Sequence, residues 1–103
     1  MNGIEKIDIR ISSLNENISL SIIPSTLKVY VKDQVKNIDA EVIGKLLDII
    51  CKWDFEYIDD NAIDKEQFRV KVYTNKGVDD YFGDGKYPNT YEAFKKLVMD
   101  IYG

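Results

Sequence analysis

Three short runs alternate branched apolar residues with polar ones, and this alternation restricts the possible folds more than any other feature of the chain. Ile7, Ile9 and Ile11 are interleaved with Asp8 and Arg10, Ile18, Leu20 and Ile22 with Ser19 and Ser21, and Leu27, Val29 and Val31 with Lys28 and Tyr30. Side chains of an extended chain point alternately to two faces, so each run predicts a strand with one buried and one wet face. Asn15-Glu16-Asn17 supplies turn residues between the first two runs, which makes them a hairpin. Pro24-Ser25-Thr26 interrupts the chain before the third, because proline cannot donate to a ladder.

From Asp39 the period changes. Val42, Ile43, Leu46, Leu47, Ile50 and Trp53 recur at intervals of three and four, a single apolar stripe along a helix, with Asp39 placed to cap it. Gly44 weakens a helix by about 1 kcal/mol relative to alanine, and a close backbone approach is the expected reason for it. Residues 54–66 carry six acids and one lysine without periodicity, which predicts an irregular connection.

Alternation returns at Phe68, Val70 and Val72, followed by Asn75-Lys76-Gly77, a three-residue hairpin with glycine in the left-handed position, and a return strand from Val78 to Phe82. The chain closes with a second amphipathic helix bearing Tyr91, Phe94, Leu97, Val98 and Ile101 on one face. It starts at Asn89 or Thr90; with Asn89 as its N-cap, Glu92 falls at the third helical position, a capping box. The order βββαββα predicts an α+β, two-layer sandwich: a mainly antiparallel five-stranded sheet with two helices on one face. With 103 residues and no linker-like segment, residues 1–103 form one domain.

Composition excludes several chemistries. There is no histidine, which removes imidazole-based triads, proton shuttles and metal ligands. The single Cys51 cannot form an internal disulfide, has no base to ionise it, and is expected as a small hydrophobe in or beside the core. Net charge is −4 with basic residues scattered among acids, unlike a nucleic-acid binder's concentrated basic surface. Neither a signal sequence nor a membrane span is evident, so a cytoplasmic setting is expected. These absences argue against an enzyme and against a bound cofactor.

Tyr81-Phe82-Gly83-Asp84-Gly85-Lys86-Tyr87-Pro88 sits ahead of a helix, as phosphate loops do. A Walker loop would need glycine at position 80 and Ser or Thr at 87, where the chain has Asp80 and Tyr87. The dinucleotide fingerprint fails at Pro88. Asp80, Asp84 and Gly85 match part of a calcium loop, but Phe82 and Tyr91 occupy two of its ligand positions. A glycine turn between strand and helix is the simpler expectation, and no metal site is assigned. Asp59, Asp60 and Asp64 could hold a ligand or line a solvated loop.

Seven tyrosines and four phenylalanines are many for this length, and Tyr81, Phe82 and Tyr87 crowd one connection. Aromatics with a polar tip suit either a core edge or an interface. The passages Phe68-Arg-Val-Lys-Val-Tyr-Thr-Asn-Lys-Gly77 and Tyr87-Pro-Asn-Thr-Tyr-Glu-Ala-Phe94, in this element order, resemble small uncharacterised bacterial α+β proteins. More loosely they are similar to emfourin, an inhibitor of thermolysin-type metalloproteases. That resemblance implies a sheet with two helices and an inhibitory role. The glycine-rich first hairpin of that group is replaced here by Ser12-Ser-Leu-Asn-Glu-Asn17.

The resulting expectation is a small non-enzymatic protein-interaction module of bacterial origin, an inhibitor or immunity-type protein, monomeric or weakly self-associating. Its partner is another protein, neither nucleic acid nor membrane, contacted through Tyr81, Phe82, Tyr87, Asp59 and Asp60. The alternative is a small-molecule or metal-binding domain using the acidic 54–66 loop and the Gly83–Gly85 turn.

Overall fold

The computed structural model describes residues 3–61 and 66–103. Strands β1 (Ile4–Ser12), β2 (Asn17–Ile23), β3 (Lys28–Val31) and β4 (Gln34–Asn37) precede helix α1 (Ala40–Ile50). Strands β5 (Glu56–Ile58), β6 (Gln67–Thr74) and β7 (Gly77–Asp84) then lead to helix α2 (Tyr91–Tyr102). All the strands join one sheet in the order β4-β3-β2-β1-β6-β7-β5, antiparallel except for the parallel β5–β7 pair.

The α+β class holds, with two helices among the described residues, but the sheet they describe has seven strands and not five. The two additional strands are the sheet's edges. Gln34-Val35-Lys36-Asn37 has one apolar residue and Glu56-Tyr57-Ile58 is three residues long, so neither carries the alternation a half-buried strand shows. Residues 56–58 therefore form a strand inside the connection expected to be irregular.

Cross-strand register carries the alternation across the sheet. Ile7 lies between Ile22 and Val72, Ile9 between Leu20 and Val70, and Ile11 between Ile18 and Phe68. These rows, with Val29, Val31 and Tyr81, form one core with Ile43, Leu46, Ile50 and Trp53 of the α1 segment and Tyr91, Phe94 and Val98 of α2. Phe68 and Phe94 are fully buried, each stabilising by roughly 1.5–3 kcal/mol on burial. Asp8, Arg10, Ser19, Ser21, Arg69 and Lys71 occupy the alternate positions and line the sheet's other face.

Several local expectations change. Leu27 does not extend β3: it closes the 3-10 turn Pro24–Thr26 in a left-handed conformation (φ 54°), its N–H donating to the Pro24 carbonyl. The β6–β7 loop is two residues, because Gly77, at φ 145°, pairs with Thr74. Asp39 stands at the N-cap of α1 without a side-chain cap bond. The N-cap of α2 is Thr90, not Asn89, which shifts Glu92 to the second helical position. Thr90 Oγ1 instead accepts the Trp53 indole N–H at 2.8 Å, tying the end of the α1 segment to the start of α2. Gly44 faces open space, with nothing within 4 Å of where a Cβ would lie, so no close approach explains it. Cys51 is exposed, its Sγ 3.3 Å from the Asp48 carbonyl, and is no part of the core.

Candidate functional site

The segment from Tyr81 to Tyr91 resolves into strand, turn and helix start. Tyr81 and Gly83 face the helices and Phe82 the opposite side, because adjacent residues of a strand cannot share a face. Tyr81 is 7% exposed, packs edge-on to Trp53 at 6.2 Å and stacks on Phe55 at 5.1 Å. Its hydroxyl is pushed above the ordinary tyrosine range, chiefly by burial and secondarily by Asp79.

Gly83 is explained by its cross-strand partner. The Phe68 ring lies across it, and a Cβ at position 83 would fall 1.9 Å from the ring. An aromatic ring covering a strand glycine restores the packing that the missing side chain forgoes. Gly85 takes φ 80°, the left-handed turn that releases the chain toward α2. No phosphate-cradle geometry is needed to account for either glycine.

Tyr87 is half-buried and stacks on Tyr91 at 4.7 Å. Its hydroxyl donates to the Glu66 carbonyl at 2.8 Å and accepts from the Glu66 N–H at 3.1 Å. The Glu66 carboxylate accepts from the Tyr91 hydroxyl at 2.5 Å and from Lys95 Nζ at 2.8 Å. Burial, then this hydrogen bond, drives the Tyr91 hydroxyl far above its usual range, and the hydrogen bond with Glu66 raises Lys95 as well. This network fastens the start of β6 to the first turns of α2.

Phe82, on the uncovered face, is half-buried beneath the Arg69 guanidinium, 5.7 Å from its ring centroid. Arg69 also forks onto Asp80, Nε to Oδ1 at 3.1 Å and Nη2 to Oδ2 at 2.8 Å. That fork holds the Asp80 carboxyl below its ordinary range. The three aromatics expected to act together thus occupy the core, the outer sheet face and the β6–α2 junction.

Asp59 and Asp60 are exposed just beyond β5. The Asp59 N–H donates to the Asp84 carbonyl at 2.9 Å, and its Oδ1 accepts from the Asn61 N–H at 3.0 Å. Asp64 lies outside the described residues. Among the described residues no three acids or cysteines converge as metal ligands. A concavity of about 360 Å³ lined by Val29, Lys36, Ile38, Val42, Leu97 and Ile101 lies toward β4, at the other end of the sheet from Gly83.

What the acidic stretch does present is apolar surface that sequence reasoning passed over. Ile58, 45% exposed on β5, lies on the same face as Phe82, whereas Phe55, 57% exposed just before β5, stacks on Tyr81 toward the helix side, so the two flank the sheet's outer edge from opposite faces. The Phe55 carbonyl accepts from the Phe82 N–H at 2.9 Å, so the two segments are locked together. Asp54, Glu56, Asp59 and Asp60, neighbours of these two residues along the chain, are all exposed. An aromatic and an isoleucine inside a run of acids was the available signal, obscured because the run lacks periodicity.

No family model, curated protein or solved structure matches this chain. No helix among the described residues is long and apolar enough to cross a membrane.

Proposed function

We propose that the protein is a small non-enzymatic interaction module, an inhibitor or immunity-type protein, that docks on another protein through the β5 edge and the adjoining uncovered sheet face. The observation that carries this reading is the pair Phe55 and Ile58, exposed on either side of the sheet's outermost edge in a segment whose acids Asp54, Glu56, Asp59 and Asp60 are also exposed. Apolar anchors with a polar rim are the usual composition of a protein interface. An outermost strand also offers backbone donors and acceptors to a partner. Phe82 and the carboxylates of Asp59 and Asp60 belong to this surface; Tyr81 supports it from beneath through Phe55, and Tyr87 serves the fold.

The test is affinity capture from the source cells with the wild-type chain and a Phe55→Asp/Ile58→Asp variant whose folding is verified by circular dichroism. A protein retained by the wild type and lost by the variant is the expected result. Identical sets of captured proteins overturn the assignment.

A further inference from the structure

Arg10 and Arg69 stand directly opposite each other on β1 and β6, both exposed on the uncovered face. Like charges in that register repel and destabilise a sheet. Asp80 neutralises Arg69 through the two-point fork, but Arg10 has no carboxylate partner among the described residues. Neutral hydrogen-bonding side chains surround Arg10: Ser19 across the β1–β2 pair, Ser12 two positions along its strand, and Gln67 opposite Ser12. Two shallow depressions of about 240 and 200 Å³ meet at Arg10 and Ser12, one running over Asn17 and Ser19, the other over Gln67, Arg69 and Phe82.

On the same face, Asp8 is engaged by Lys6 at 3.6 Å and Ser21 at 2.6 Å, Asp80 is held by Arg69, Asp84 stands opposite Gln67 on β7, and Glu56 lies beyond it on β5. The charge left uncompensated at the centre of the face is thus that of Arg10, on a chain whose net charge is −4.

We propose that Arg10, with Gln67 and the outer side of Arg69 and over a floor lined by Ser12, binds carboxylate side chains of an acidic peptide segment on the partner protein. A guanidinium presents a planar fork that matches a carboxylate at two points, and the Gln67 amide supplies a further donor, while the Ser12 hydroxyl is given to Asn17 Oδ1 and lines the floor. The shallow, continuous depressions suit an extended chain crossing the strands. This inference rests on the interaction-module reading for its choice of a peptide as occupant, and it extends the contact surface from the β5 edge to the centre of the sheet.

Titration of the isotope-labelled protein with a hexaglutamate peptide, followed by amide and Arg Nε chemical shifts, tests it. The expected result is shifts concentrated at Arg10, Ser12, Gln67 and Arg69, with binding about tenfold weaker in Arg10→Gln. Lys96→Gln, an equal charge change on exposed α2 surface, should leave binding unchanged. Equal weakening by both substitutions, or no shifts at all, overturns the site. Inorganic phosphate titrated at the same charge concentration separates the ligand classes: tighter binding of phosphate than of the peptide also contradicts the proposal. Absence of peptide shifts in the wild-type chain, with capture through Phe55 and Ile58 intact, refutes this inference alone, whereas identical capture by the β5 variant refutes the module reading itself.

Discussion

Phe68 lies across Gly83 on the neighbouring strand so closely that no β-carbon fits between them. The same ring packs at 5.3 Å from Trp53 and 5.0 Å from Tyr91, so displacing it disturbs the sheet and both helix junctions together. Gly83→Ala should therefore destabilise by about 1–3 kcal/mol, the usual cost of overpacking a filled core. Urea unfolding monitored by Trp53 fluorescence measures it. In a Phe68→Leu background the added cost should shrink, since contacting residues couple non-additively. Equal costs in both backgrounds would show that the ring is not the obstacle.

Gly44 gives the opposite sign. Its missing Cβ would meet no atom, and the residue sits within α1. Gly44→Ala should stabilise by about 1 kcal/mol, raising the urea midpoint without changing the slope.

The bond from the Trp53 indole to Thr90 joins two half-turns that the chain separates by 37 residues. Thr90→Val keeps the shape and leaves a donor without its acceptor, which should cost about 1–3 kcal/mol. Thr90→Ser, which keeps the hydroxyl, should cost measurably less in the same unfolding experiment.

Alkaline pH should weaken the junction built on Glu66. Tyr91 and Lys95 both hold their protons more tightly in the folded state than at their ordinary values of 10.0 and 10.5. Their stabilisation is therefore complete below those values and is lost as pH rises toward the higher folded ones. Stability measured by urea between about pH 8 and about pH 11 should fall, and Glu66→Gln should flatten that fall. Tyrosinate absorbance should show one hydroxyl that ionises only as the protein unfolds.

What could be read from the chain follows from what buries a face. β1, β2, β6 and most of β7 alternate because one side packs on helices, and both helices declare their stripes through Ile43, Leu46 and Ile50 or Tyr91, Phe94 and Val98. β4 and β5 do not, since edge strands are held by one neighbour's backbone and leave no comparable pattern. The parallel pairing of β5 with β7 joins residues some 26 positions apart, as Glu56 with Phe82, which no local signal encodes. At the candidate site, taking Val78 to Phe82 as a strand already required Tyr81 and Phe82 to face opposite ways. Phe55 was legible only as an aromatic out of place among acids.

Hydrogen exchange of the protein alone and with its captured partner tests the central claim most directly, because it reports where the contact lies. Added protection is expected at Phe55 to Ile58 and along β7 around Phe82, with the outer surfaces of α1 and α2 unchanged. Protection confined to the helices, with the β5 edge exchanging as in the free protein, would contradict it.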